Sequence, residues 1–210
     1  MFSKNNFWCI PDAFSKSFCN EVIAFGMATN KLMATTGEFS EYASNKEWTK
    51  EKIKKQKEMR DSTVSFLDEP WISVEIITAI MEGNKQAAWN FDLDMLEKIQ
   101  FTMYNSNQHY TWHTDSDPES DNYFGKRKLS FTIQLSDPEE YSGGQLLIYN
   151  SNPKQKESPF DKNESILFSD KSLKKGTLTL FPSFLWHKVT PVIRGQRLSL
   201  VGWCQGPKFK

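Results

Sequence analysis

Histidine is scarce in this chain of 210 residues: only His109, His113 and His187 are present. Arginine is nearly as rare, at Arg60, Arg127, Arg194 and Arg197. Chemistry that needs an imidazole or a bidentate guanidinium must draw on those few positions. The three cysteines, Cys9, Cys19 and Cys204, contain no CxxC pair and cannot all pair with one another. That argues against a disulfide framework and a structural zinc site, and for a reducing, cytoplasmic setting. Net charge is also missing, with 26 Lys+Arg against 26 Asp+Glu. A balanced chain is not expected to be a dedicated binder of nucleic acid or of a membrane surface. No apolar run approaches the roughly 18 residues of a membrane-spanning helix. The opening MFSKNNFWCIPD has neither a long apolar stretch nor a small-residue cleavage site, so no secretion signal is expected.

The chain has room for one domain with a sizeable core. Its first 94 residues read as a helical support region. AFSKSFCNEVIAFGMA follows Pro11-Asp12 with Phe14, Phe18, Val22 and Phe25 at helical spacing. SVEIITAIMEGNKQAAW (73–89) predicts a second helix, and STVSFLD (62–68) alternates like a short strand. Residues 36–62 are polar and lysine-rich, which suits a solvated loop, an exposed helix or a mobile lid. From residue 95 to 210 the texture changes. MLEKIQFTMYN, KLSFTIQLSD, GGQLLIYN, SILFSD, GTLTLFPS and QRLSLVGWC are short runs bounded by turn residues, with a polar connector at 151–165. Six such runs predict an antiparallel sandwich or jelly roll rather than a βαβ sheet.

HYTWHTDSD places His113 and Asp115 two residues apart, on one face if the backbone is extended. His187 follows far downstream, directly after the run ending in FPSFLW. Two imidazoles and one carboxylate match the facial triad of non-haem Fe(II) oxygenases, which leaves three coordination positions open. The HxD pair by itself is a weak signal and also suits a surface His–Asp pair. Ten residues past His187, Arg197 opens the strand RLSLVGWC. Alternation there groups Arg197, Ser199, Val201 and Trp203 on one face, and Leu198, Leu200, Gly202 and Cys204 on the other. An inward guanidinium needs an anion, either a ligand carboxylate or an internal Asp or Glu.

With HTD, a distal WHKVTPV and RGQR in place, the chain resembles the Fe(II)/2-oxoglutarate-dependent dioxygenases. More narrowly, it is similar to their prolyl 4-hydroxylase branch, including the PKHD-type hydroxylases. The resemblance covers roughly residues 95–206. It includes Tyr104, nine residues before His113, the block RKLSFTIQLSDPEEYSGGQLLIY, and Trp203, six residues beyond Arg197. It implies a double-stranded β-helix (a cupin-like jelly roll), mainly β with helical N-terminal support. It further implies that His113, Asp115 and His187 ligate Fe(II), and that Arg197 holds the distal carboxylate of 2-oxoglutarate. Tyr104 would hydrogen-bond the same end, and Trp203 would wall the pocket. The reaction implied consumes O₂, releases succinate and CO₂, and hydroxylates a proline in a peptide or protein. Ascorbate binding is part of what the branch implies.

Other readings stand beside these. The substrate can be a free amino acid or another small molecule, or the chain can be a cupin-like binding module without catalysis. His109 falls in NSNQH, which suggests a loop. Arg127 and Arg194 flank strands as surface or entrance residues able to contact substrate, and Trp112 reads as packing. Gly143-Gly144 marks a tight turn or bulge.

Overall fold

The computed structural model describes residues 5–36, 48–116, 126–149, 166–169 and 174–207. The expected connector at 151–165 and residues 37–47 of the lysine-rich segment lie outside them. Before residue 94 the chain forms β1 (Trp8–Ile10), α1 (Lys16–Ala28), β2 (Leu32–Met33), α2 (Lys50–Met59), β3 (Arg60–Asp61), β4 (Thr63–Leu67) and α3 (Pro70–Gln86). Then come β5 (Met95–Leu96), β6 (Ile99–Tyr104), β7 (His109–His113), β8 (Lys126–Gln134), β9 (Tyr141–Gly143) and β10 (Leu146–Tyr149). The last strands are β11 (Ile166–Ser169), β12 (Leu178–Pro182), β13 (Trp186–Val189), β14 (Val192–Gly195) and β15 (Arg197–Gly206).

Both long helices form where apolar residues recur at helical spacing. In α1 the Ser15 side chain caps the first turn by accepting the Phe18 N–H at 3.1 Å. Asp12 sits in a preceding turn with φ +51°. Helix α3 starts with Pro70 in its first turn, where a missing N–H costs nothing, and buries Ile72, Ile76 and Ile80 along one stripe. Each such isoleucine contributes about 1.5–3 kcal/mol. The lysine-rich segment supplies α2, capped by Thr49 and exposed except at buried Gln56 and half-buried Lys52 and Ile53.

The strands make two antiparallel sheets and a ribbon. The larger runs β1-β12-β8-β15-β6-β4-β2, with β5 added to β15. The smaller runs β11-β10-β13-β7-β3, and β14 pairs with β9. The two sheets face each other as a jelly roll, as expected. The first 94 residues do more than contribute helices. Strand β1 pairs with β12, β4 with β6, and β3 with β7, so this region supplies strands to both sheets. At two to three residues, β1, β2 and β3 are too short to show a period of two.

The main apolar core does not lie between the sheets. It lies between the helices and the back of the large sheet, where Phe18, Cys19, Val22, Ile72, Ile76 and Ile80 meet Phe101, Leu129, Phe131, Ile133, Leu200 and Cys204. The front of the same three strands is polar: Gln100, Thr102 and Tyr104 on β6, Ser130, Thr132 and Gln134 on β8, Arg197 and Ser199 on β15. Cross-strand register joins them, with Arg197 opposite Tyr104, Ser199 opposite Thr102 and Gln134, and Trp203 opposite Ser130. Two small apolar clusters close the space between the sheets, around Ile148 and Phe181 and around Val189 and Val192. Among the described residues, no helix is long and apolar enough to cross a membrane.

None of the three cysteines forms a disulfide, and only Cys9 is partly accessible. Burial pushes the Cys19 thiol up to about 11 and the Cys204 thiol up to about 12. A raised thiol pKa means less thiolate, so at pH 8 well under about 1% of either group is reactive. Alkylation of the native protein at pH 8 should therefore modify Cys9 alone. Unfolding in denaturant should release all three, and peptide mass mapping distinguishes the patterns. Rapid labelling of Cys19 in the native protein would contradict the packing of α1.

Candidate metal centre and its cavity

His113 and His187 are brought together by pairing of β7 with β13, which sets them directly opposite each other. Their ring centroids lie 4.0 Å apart. His187 stands inside β13, not after a strand as the sequence suggests, because the chain turns at Ser183–Leu185 and re-enters the small sheet. Asp115 lies just past the end of β7 rather than on it. Its position is set by two backbone bonds, from the Asp115 and Ser116 N–H groups to the Ser183 carbonyl at 2.9 and 3.0 Å. Asp115 Oδ2 lies 3.3 Å from His187 Nε2, and Oδ1 lies 3.7 Å from His113 Nε2. One ligand atom from each of the three residues falls within 4.8 Å of the others, close enough to hold one metal ion.

Both imidazoles are oriented in the same way. His113 Nδ1 lies 2.8 Å from the Thr111 carbonyl, and His187 Nδ1 lies 2.9 Å from the Leu185 carbonyl. A carbonyl can only accept, so each Nδ1 carries a proton, and Nε2 is the ring atom turned towards Asp115. Tyr110 stacks on His113 at 3.5 Å, and Phe181 packs edge-on to His187 at 4.8 Å. Burial, reinforced by nearby His187, holds the His113 imidazole well below its ordinary pKa, against the pull of Asp115. For Asp115, burial would raise the carboxyl. The attraction and hydrogen bond of His187, with His113 behind it, outweigh that and hold it below the usual carboxylate range. Neutral imidazole and ionised carboxylate are the forms that bind metal.

Arg197, 2% exposed, lines the same small chamber as the triad, together with Tyr104, Thr132, Val201 and Trp203. Its Nη1 donates to Ser199 Oγ at 3.1 Å, and its guanidinium carbon lies 5.8 Å from the Tyr104 ring centre. Gly144, at φ +60°, makes room for it, since a Cβ there would stand 3.2 Å from Arg197 Cδ. Two polar atoms lining this chamber, Thr132 Oγ1 and Trp203 Nε1, are buried and have no hydrogen-bond partner. Orphaned donors beside a buried arginine fit a ligand that brings acceptor oxygens.

The chamber opens towards a cavity of about 840 Å³ lined by Trp48, Ile53, Arg60, Phe66, Gln100, Tyr110, Asp115, Arg127 and Trp203, among others. Arg127, expected at an entrance, is half-buried there. It makes two bonds of 2.7 and 2.6 Å to the Glu97 carboxylate and lies 3.8 Å over the Trp203 ring. Arg194 lies exposed on the ribbon. His109 belongs to β7 rather than a loop, but its ring nitrogens lie 3.3 Å from the Asn107 and Glu58 carbonyls, outside the triad. Trp112 packs on Tyr149 at 4.3 Å, with Lys188 4.5 Å from its ring, on the far side of β7.

Sequence reasoning missed Arg60, Tyr110, Ser130 and Thr132. The last two carried a readable signal, because KLSFTIQ alternates apolar Leu129, Phe131 and Ile133 with polar Ser130, Thr132 and Gln134.

Residues 99–205 match the 2OG-Fe(II) oxygenase superfamily. A PKHD-type hydroxylase from Crocosphaera subtropica is 34% identical over 108 residues, 51% of this chain and 42% of that protein. The viral collagen prolyl hydroxylase from Paramecium Bursaria Chlorella virus-1 superposes with a TM-score of 0.63 at 18% identity, covering 97% of both chains. A Trichoplax adhaerens prolyl hydroxylase, solved with a hypoxia inducible factor peptide fragment, gives 0.61 at 16% identity over 96% of this chain and 84% of that one. At these identities the structures share the fold. The family match spans half the chain, from the first long strand of the large sheet to its last, with the three clustered side chains and Arg197 inside it. The chain belongs to the 2OG-Fe(II) oxygenase superfamily.

Proposed function

We propose that this chain is an Fe(II)- and 2-oxoglutarate-dependent hydroxylase acting on a prolyl residue within a peptide or protein. The observation that carries the reading is the triad, with His187 buried and His113 and Asp115 half-buried, sharing one chamber with a buried arginine beneath a large open cavity. In it, His113, Asp115 and His187 hold the metal, and Arg197 grips the far carboxylate of the cosubstrate, with Tyr104, Thr132 and Trp203 around that end. When bound, the metal and 2-oxoglutarate supply O₂ activation coupled to decarboxylation, with succinate and CO₂ released. The chain's own tasks are positioning and dryness. The carbonyls of Thr111 and Leu185 fix the two imidazoles, and the surrounding aromatic rings keep water from the reacting centre.

A peptide substrate is favoured by the outer cavity. At about 840 Å³ it is in the upper range for pockets that take drug-sized ligands, more than one free amino acid fills. Trp48 and Phe66 add apolar surface to its lining, suited to a proline ring. The PKHD-type and prolyl hydroxylase relatives support the same reading. One observation favours the second reading, a small carboxylate-bearing substrate. Arg60, 5% exposed and lining the cavity, bonds only neutral Ser62 and Gln100 and has no carboxylate partner among the described residues. The two readings separate by mass: one oxygen added to proline-containing peptides but not to free proline supports the first, and the reverse supports the second. We also infer a reducing, cytoplasmic compartment from three cysteines that form no disulfide.

Asp115→Ala should abolish Fe(II)-dependent decarboxylation of 2-oxoglutarate, since two histidines leave the metal short of charge and geometry. Succinate release at the native rate from that variant would remove Asp115 from the ligand set. Arg197→Ala should leave Fe(II) affinity nearly unchanged while raising the KM for 2-oxoglutarate. Breaking a buried ion pair costs about 3–5 kcal/mol. That is on the order of a hundred- to several-thousand-fold in affinity. Arg197→Lys should be milder, because a point charge survives without the two-pronged geometry. Titrating succinate formation against 2-oxoglutarate for the three proteins measures this. A KM within about threefold of the native value for Arg197→Ala, less than ~1 kcal/mol, would overturn the assigned role.

A further inference from the structure

Asp115 has a partner that the triad alone does not explain. Ser130 on β8, 1% exposed, donates from Oγ to Asp115 Oδ2 at 2.7 Å. Its oxygen also lies 2.9 Å from Ser183 Oγ. A hydroxyl has one proton and a carboxylate can only accept, so Ser130 gives its proton to Asp115 and the Ser183 hydroxyl is the donor in the second bond. Ser183 is the residue whose carbonyl receives the Asp115 and Ser116 N–H groups. Backbone and side chain of Asp115 are thus tied to one turn and one strand of the large sheet, although its neighbour His113 belongs to the small sheet.

We infer that Ser130 is a positioning residue that keeps Asp115 a one-oxygen ligand, so that the metal retains the open positions a chelating cosubstrate and O₂ require. The inference rests on the reading of Asp115 as a metal ligand. A carboxylate can bind a metal through one oxygen or two, and the two-oxygen mode would consume one of the three positions a facial triad leaves open. One feature of the site works against that mode. The short bond from Ser130 occupies a lone pair of Oδ2, the oxygen nearer His187, and fixes the rotation of the carboxylate. Without the hydroxyl, nothing among the described side chains hydrogen-bonds Asp115 except its histidine neighbours, and the carboxylate is free to swing both oxygens onto the metal.

The test compares the native protein with Ser130→Ala, Ser130→Thr and Asp115→Ala. Fe(II) affinity is measured anaerobically by calorimetry, and 2-oxoglutarate is then titrated into the Fe(II)-loaded proteins while the visible charge-transfer absorption of the chelate is followed. Neither readout needs turnover. Ser130→Ala should bind Fe(II) at least as tightly as the native protein. It should bind 2-oxoglutarate about tenfold or more weakly, the usual scale for losing a group that orients a ligand. Its absorption band should be displaced or weakened. Ser130→Thr keeps the hydroxyl and should restore both affinity and band. Should the added methyl prevent Ser130→Thr from folding, the alanine variant still decides. A native band and a 2-oxoglutarate affinity within about twofold in Ser130→Ala would overturn the inference. So would a loss of Fe(II) affinity equal in Ser130→Ala and Ser130→Thr, which would mark a packing role. Asp115→Ala separates the layers. Native Fe(II) affinity in that variant refutes the ligand assignment itself, whereas its loss together with a native-like Ser130→Ala refutes only the role of Ser130.

Discussion

The period of two along three neighbouring strands is the constraint on which the rest of this structure depends. Strands β6, β8 and β15 each send one set of side chains to the helices and the other to the chamber. The helix-side set is apolar and the chamber-side set is largely polar, with Val201 and Trp203 the apolar members on β15. A one-residue slip of β15 would drive Arg197 into the packing of α1 and α3 and turn Leu198 and Leu200 to the chamber. Close packing on the apolar side guards against this. Gly202 admits the Phe131 ring, and a Cβ there would stand 2.6 Å from Phe131 Cζ. The helices therefore do more than cover the sheet. By absorbing its apolar face they leave the other face free to be polar, which a jelly roll with a wholly apolar interior could not offer a charged ligand.

The clustered side chains then need only short-range devices. The paired strands β7 and β13 set the two histidines opposite each other. Carbonyls two residues earlier in the chain turn both rings the same way. Asp115 cannot be placed by the same strand, because a continued β7 would carry it along the small sheet. Its backbone instead leaves the strand and is taken over by Ser183 at the turn between β12 and β13. The two imidazoles thus come from one sheet, while the carboxylate is held from the other.

Much of this was legible in the chain before any coordinates. The runs KLSFTIQ, GTLTLF and RLSLVGWC show the alternation that became β8, β12 and β15, and the helical stripes of α1 and α3 stand out equally. Scarcity made the site readable: with three histidines and four arginines, HTD, His187 and Arg197 had few competitors. What stayed hidden depends on contacts distant in sequence. HxD suggests an extended backbone that carries Asp115 along with His113, whereas the departure is imposed by Ser183. Arg60 was hidden in a lysine-rich stretch that reads as solvated. Nothing local shows that β3 pairs with β7 and so buries its guanidinium 4.7 Å from the Tyr110 ring centre.

The charges around the chamber are consistent with the proposed ligands and with one another. Arg127 is neutralised by Glu97 through two short bonds, so it adds little net charge to the cavity. With a metal held on both Nε2 atoms the imidazoles are neutral, Asp115 contributes one negative charge, and Arg197 and Arg60, both lining the chamber, contribute two positive ones. A divalent metal alone would add two more positive charges in a place shielded from water, a costly arrangement unless an anion accompanies it. A cosubstrate with two carboxylates offsets the metal, one end beside it and the other beside Arg197, and leaves the charge of Arg60 uncompensated. The dianion thus cancels what the metal adds, and the binding of each should strengthen that of the other.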